Sequence, residues 1–178
     1  MTQVAFVLLL LLGAPLHAIA QTPAAPSRDL AFWRGLAGRK FVAAPGESPA
    51  ALARELSGLL GSPDPELRDD IGYTGLVSLI FRQRVVPADT LRALTGDWIA
   101  NLSTGVGEQG TDTVLKRSFS ALALGIVAAL DNESPELDRA AFDRLLRAAL
   151  AYSMASATCA GTIRPEAGCT ASRTRPIC

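Results

Sequence analysis

Residues 113–130 read TVLKRSFSALALGIVAAL, and this stretch decides the class of fold. Leu115, Phe119, Leu122, Ile126 and Leu130 step by 4, 3, 4 and 4, the spacing of one face of an α-helix. From Phe119 to Leu130 the segment is apolar nearly all round. A helix of that kind is buried on most of its sides. Asp112 or Thr111 is placed to cap its start. Moving outward, the same period recurs. Leu52, Leu56 and Leu59 step by 4 and 3, and Leu91, Leu94, Trp98 and Leu102 by 3, 4 and 4. Leu137, Ala141, Leu145, Ala148 and Tyr152 step by 4, 4, 3 and 4. No comparable stretch alternates as a strand between hairpin turns, so the expected class is all-α.

Punctuation divides the helices. Ser48-Pro49, Asp64-Pro65 and Ser134-Pro135 each set a capping side chain before a proline that needs no N–H in the first turn. Gly61 after Leu60 marks a stop. Helices are therefore predicted to start near 49, 65, 87, 113 and 135. They form two hairpins, 65–83 with 87–103 and 113–131 with 135–152. The two hairpins are offset by 48 residues, close to a HEAT-type period. Two arrangements satisfy this pattern: stacked antiparallel helix pairs (HEAT/armadillo-like), or an irregular helical bundle. Gly72 and Gly75 fall inside one predicted helix. Each costs about 1 kcal/mol there relative to Ala, and close helix–helix approach is the expected compensation.

The ends carry different information. Val4–Leu12 is an apolar run of nine, followed by Gly13-Ala14-Pro15 and by Ala18-Ile19-Ala20. Nine residues fall short of the about 20 that span a bilayer. The pattern reads as a signal peptide over residues 1–20, cleaved before Gln21, although no Lys or Arg precedes the run. The residue directly after the cleavage point is Gln21 and not Cys, so no lipid anchor is indicated. The expected location is periplasmic or secreted, with no membrane span in the mature chain. A linker over 21–31 leads into a helical domain over 32–152. The only histidine, His17, lies in the signal peptide. The three cysteines, Cys159, Cys169 and Cys178, all lie in the last 20 residues. The chain's 17 basic and 17 acidic residues cancel. Residues 21–152 hold 14 basic and 16 acidic side chains, a net charge of −2. There is no basic footprint for a nucleic acid.

One polar cluster stands out. Glu108, Asp112, Lys116 and Arg117 lie within ten residues. Two carboxylates near an arginine could do acid/base work, so Glu108, Asp112 and Arg117 are the candidate catalytic residues. The competing reading is a helix cap plus a solvated Asp112–Lys116 pair at i,i+4. Gly105-Val106-Gly107-Glu108-Gln109-Gly110 spells G-x-G-x-x-G. That fingerprint needs a strand before it and a βαβ unit around it. A helix precedes it here, and Glu108 and Asp112 repel phosphate, so it reads as a loop. No cofactor and no metal ligand set is expected. Asn101-Leu102-Ser103 and Asn132-Glu133-Ser134 match the glycosylation acceptor pattern. The chain has 15 Arg against 2 Lys. That usage points to a GC-rich bacterial genome and discounts the sequons.

The words from Leu60 to Asp69 (LGSPDPELRD), Ile71-Gly72-Tyr73, and Gly105 through Leu122 (GVGEQGTDTVLKRSFSAL) with Asp131-Asn132 resemble a bacterial family known only as domain of unknown function 2785. The resemblance runs from about Phe32 to Tyr152. It implies a helical domain and no activity.

Family members continue past that point with a stretch like RGY-x-P-x-x-GW-x-H-x-x-AH-x-ADL. This chain reads SMASATCAGTIRPEAGCTASRTRPIC, with no Leu, against 26 Leu in residues 1–152. Shifted by one base, permitted codons from Tyr152 to Pro165 spell LDGERDLRGYDP, and those after it AGGWLHSVAHTADL. The expectation is a one-base frameshift after Tyr152. Residues 153–178 then form a disordered, out-of-frame tail whose cysteines say nothing about disulfides. The family's H-x-x-x-H stretch, able to bind metal on one helix face, is lost. The last helix is left with an exposed apolar face, open to a protein partner or to self-association. Two functions fit: an exported binding or scaffold module, or the remnant of a hydrolase or metal-dependent enzyme that lacks its histidines. The truncated chain is more simply not an enzyme.

Overall fold

The computed structural model describes residues 28–108, 111–135 and 137–160. The expected signal peptide, the expected linker up to residue 27 and the tail from residue 161 lie outside them. The described residues contain no strand. Six helices follow in order: α1 (Leu30–Gly38), α2 (Pro49–Leu59), α3 (66–82), α4 (Ala88–Asn101), α5 (Thr113–Glu133) and α6 (Arg139–Ala160).

The all-α class holds, and the arrangement is that of an irregular bundle. α5 is its hub, touching α3, α4 and α6, while α3 packs chiefly on α2 and α5. The expected α3–α4 hairpin is therefore packed less closely than α4 on α5.

α1 begins at Leu30, inside the segment read as linker. Asp29 supplies the reason: its carboxylate accepts the Phe32 N–H at 2.8 Å, an ordinary N-cap. α1 buries Trp33 and Leu36. It ends in an unusual turn, with Lys40 and Phe41 both left-handed (φ 56° and 60°). That conformation costs non-glycine residues about 1–2 kcal/mol each. Burial of Phe41 (4% exposed) offsets about 1.5–3 kcal/mol. Ser78 and Gln83 clamp the turn by donating to the Lys40 carbonyl at 3.0 and 3.2 Å.

α2 starts as its Ser-Pro signal predicts. The Ser48 hydroxyl accepts the Ala51 N–H at 3.3 Å and Pro49 opens the helix. Asp64 accepts the Glu66 N–H at 2.9 Å ahead of α3. α3 is wound largely with π geometry, over Glu66–Tyr73 and Val77–Arg82 around a short α segment. Its signature is the i to i+5 bond, as from the Gln83 N–H to the Ser78 carbonyl at 2.9 Å. Its buried residues accordingly step by four, as 71, 75, 79 and as 72, 76, 80. Gly72 and Gly75 are buried where α2 comes close. A Cβ on Gly75 would lie 2.8 Å from Leu56 Cδ1 and 2.9 Å from Phe41 Cε1. The expected close approach is therefore present.

α4 buries Leu91, Leu94 and Trp98, with Leu102 just beyond its end. The predicted stripe is intact. The Trp98 indole N–H donates to Ser57 Oγ at 2.8 Å, tying α4 to α2. In α5 the period is right but the face is turned. Ser120, Ala123, Leu124, Ile126, Val127 and Leu130 are buried, whereas Leu122 is 47% exposed. Small Ser120 lets α4 approach and accepts from Asn101 Nδ2 at 3.0 Å. By length and composition α5 is apolar enough to cross a membrane; here it packs among three other helices.

α6 starts four residues later than its Ser134-Pro135 signal predicts. Ser134 is extended (φ −148°) and closes α5 instead, and Asp138 caps α6 by accepting the Ala141 N–H at 2.7 Å. The helix also passes Tyr152 and runs to Ala160. Residues 153–160 contain neither Gly nor Pro, so nothing stops the helix before Gly161. A disordered tail starting at 153 is thus corrected for its first eight residues. The inward stripe is as expected, with Leu145 buried and Leu137, Ala148 and Tyr152 packed half-buried against the core. Its outer side exposes Leu146, Leu150 and Met154.

Candidate functional site

The Glu108–Arg117 cluster sits where α4 ends and α5 begins. α4 unwinds through 3₁₀-type turns, the Thr104 N–H reaching the Asn101 carbonyl at 3.0 Å. Gly105 and Gly107 then adopt left-handed φ values of 62° and 87°. A Cβ on Gly105 would lie 2.6 Å from Thr113 Oγ1 and 2.7 Å from Glu108 Oε2. Gly105 and Gly107 of the G-x-G-x-x-G word thus serve a tight turn, and Gly110 lies outside the described residues. A helix precedes them, where a dinucleotide site needs a strand.

Arg117, one turn into α5, reaches back to this loop. Its Nη1 donates to the carbonyls of Thr104 and Gly105, each at 2.7 Å, and to Thr113 Oγ1 at 3.3 Å. It thereby ties the start of α5 to the backbone of the loop, whose Gly105 carbonyl also accepts the Glu108 N–H at 3.2 Å. Glu108 Oε2 accepts the hydroxyls of Thr111 and Thr113, each at 3.0 Å. The structure therefore brings Glu108 and Arg117 together around the Thr113 hydroxyl, without an ion pair between them.

Asp112 is left out of this group. It is exposed, and its carboxylate makes no cap bond. Its backbone (φ −80°, ψ 3°) is not the extended conformation from which a cap side chain reaches the first-turn N–H groups. Neither Asp112 nor Thr111 caps α5, and Asp112 and Lys116 form no ion pair. The Lys116 stem lies instead against Gly61, 3.3 Å from where a Cβ would stand.

A cavity of about 320 Å³ opens beside the cluster, lined by Leu102, Val106, Gly107, Val114, Arg117, Tyr152 and Ala155. Tyr152 comes from α6, and its hydroxyl shares a hydrogen bond with Ser118 Oγ at 3.2 Å. Sequence reasoning missed Tyr152 and Val114. Both belong to apolar helical patterns, and only the fold turns them toward Arg117. Among the described residues no group of three or more His, Cys, Asp or Glu could hold a metal ion.

The perturbed titrations lie elsewhere, around α1. Glu47 is held below the usual carboxylate range by the Ala44 N–H at 2.7 Å and by Arg39 and Arg28. Arg34 and Glu66 form a two-bond bridge at 2.6 and 2.7 Å. It lowers the Glu66 pKa and raises that of Arg34. Both clusters tie segments together and neither lines the cavity.

No curated protein and no solved structure matches the chain. A family match begins at Leu102, the first residue of the loop, and extends beyond Tyr152, past the end of the motif resemblance. The words at 60–73 lie outside it. Residues 102–162, which hold the loop, α5 and α6, match the family described as protein of unknown function (DUF2785).

Proposed function

We propose that the chain is an interaction module, a small helical scaffold that docks a second helical surface on the outer face of α6. One observation carries this reading. Leu146, Leu150 and Met154 lie at i, i+4 and i+8 and are 45%, 55% and 73% exposed. Spacing by four puts them on one side of the helix, opposite the stripe that packs on α4 and α5. Covering what remains exposed is worth roughly 1–2 kcal/mol for each side chain.

The docked surface can be a second copy, which gives a direct test. The wild-type chain is expected to self-associate in sedimentation experiments as its concentration rises. Leu150→Glu is expected to be monomeric with an unchanged melting curve, because an exposed substitution moves stability by no more than about 0.5 kcal/mol. A wild-type chain that stays monomeric at about 1 mM overturns a second copy as the docked surface.

Export and the altered frame belong to the same proposal. Export predicts a mature protein that begins at Gln21; an exported protein still carrying Met1 refutes it. The frameshift predicts a homologous reading frame in the DNA downstream of codon 152. An intact reading across codons 150–155 with no such frame refutes it.

A further inference from the structure

We infer that the cavity between the α4–α5 loop and α6 binds a compact amphipathic carboxylate, its charged end on Arg117 and its apolar body against Leu102, Val106 and Val114. Arg117 carries the inference. All its hydrogen bonds to described residues leave from Nη1. Among the described residues, Nε and both hydrogens of Nη2 have no acceptor, and no carboxylate pairs with the guanidinium. A guanidinium presents its donors as a planar fork that a carboxylate engages with two parallel bonds. Here the Nη1 bonds hold the fork in place in advance, so little motion is lost when a ligand arrives.

The remaining lining fixes the rest of the ligand. Leu102, Val106, Val114 and Ala155 offer apolar surface, and among the described residues the Tyr152 phenol is the other polar side chain there. Glu108, the nearest carboxylate by its bonds, is committed to the Thr111 and Thr113 hydroxyls. Asp112 is exposed and does not line the cavity. A volume of about 320 Å³ lies at the small end of the roughly 300–1,000 Å³ that small-molecule sites occupy. The ligand is therefore small, with one anionic group and a short apolar body.

Octanoate is a suitable probe, with octanol and octylamine as controls of the same chain length. Titration calorimetry on the full chain is expected to show octanoate binding at least tenfold more tightly than either control. Arg117→Met should abolish that preference. Because Arg117 also holds the α4–α5 loop, a second variant guards against a folding effect. Val114 is 48% exposed and stands in the first turn of α5, where an acidic residue is tolerated or stabilising. Val114→Asp should keep the wild-type melting temperature and weaken octanoate at least tenfold. The inference is overturned if octanol or octylamine binds as well as octanoate. It is equally overturned if folded Val114→Asp binds octanoate as the wild type does, or if the folded wild-type chain binds none.

Discussion

Replacing Gly75 and Gly96 by alanine, one at a time, should move stability in opposite directions. Both glycines lie in helix interiors, where alanine is favoured by about 1 kcal/mol. At Gly96, in α4, a new Cβ meets nothing within 4 Å, so Gly96→Ala should stabilise by roughly that amount. At Gly75 the same methyl would stand 2.8 and 3.0 Å from the two Leu56 methyls and 2.9 Å from Phe41 Cε1. Leu56 is 0% and Phe41 4% exposed, so neither has open space to turn into. The Phe41 backbone is also clamped by Gln83. Overpacking of this kind costs about 1–3 kcal/mol. Against the propensity gain, Gly75→Ala should lose up to about 2 kcal/mol. Urea unfolding followed by circular dichroism reads both variants. In a thermal scan each kcal/mol moves the midpoint by about 3–5 °C for a domain of this size. If Gly75→Ala proved as stabilising as Gly96→Ala, the tight α2–α3 approach would be refuted.

Two further outcomes follow from polar and backbone features. Glu47 has a lowered folded-state pKa, so its contribution is present above its ordinary value and disappears as pH falls through the folded one. Glu47→Gln should therefore cost about 1–2 kcal/mol at pH 7. The gap between variant and wild-type urea midpoints should narrow as pH falls past the ordinary glutamate range; a gap that widens in acid contradicts the assignment. In the α4–α5 loop, Gly105→Ala and Gly107→Ala both place a side chain at positive φ, worth about 1–2 kcal/mol. Only Gly105 adds a clash with Thr113 and Glu108, so it should be clearly the more damaging in thermal melts. Equal losses would show that the loop gives way there.

How much of this was legible follows from how far each signal reaches. The stripes at 91, 94, 98, 102 and at 137, 145, 148, 152 were readable because their spacing follows one face of a helix. α5 is apolar all round, so its period was plain while its orientation was not; Leu122 ended outside and Ser120 inside. α3 gave no 3.6-residue stripe because its turns are wider. The Ser134-Pro135 signal obeys a local rule, but closing α5 took Ser134 first and left the cap of α6 to Asp138. At the candidate site, the nearness of Glu108 and Arg117 was visible within ten residues. The Thr113 hydroxyl that joins them was not, because sequence does not say where an arginine folds back. Tyr152, 35 residues from Arg117, and the Arg34–Glu66 bridge, 32 residues apart, depend on tertiary contact alone.

The two tryptophans have a practical consequence. Trp33 is 3% exposed in α1 and Trp98 is 0% exposed in α4, so each is a dry fluorophore in a different part of the bundle. Phe32 stands edge-on to the Trp33 ring at 5.2 Å, whereas the Trp98 indole is hydrogen-bonded to Ser57. Their emission therefore reports two distinct events: release of the amino-terminal helix held by the clamped turn, and opening of the centre where α4 meets α2. Single-tryptophan versions of the chain would show whether both signals change together, as in a two-state transition, or whether α1 lets go first as a separate unit.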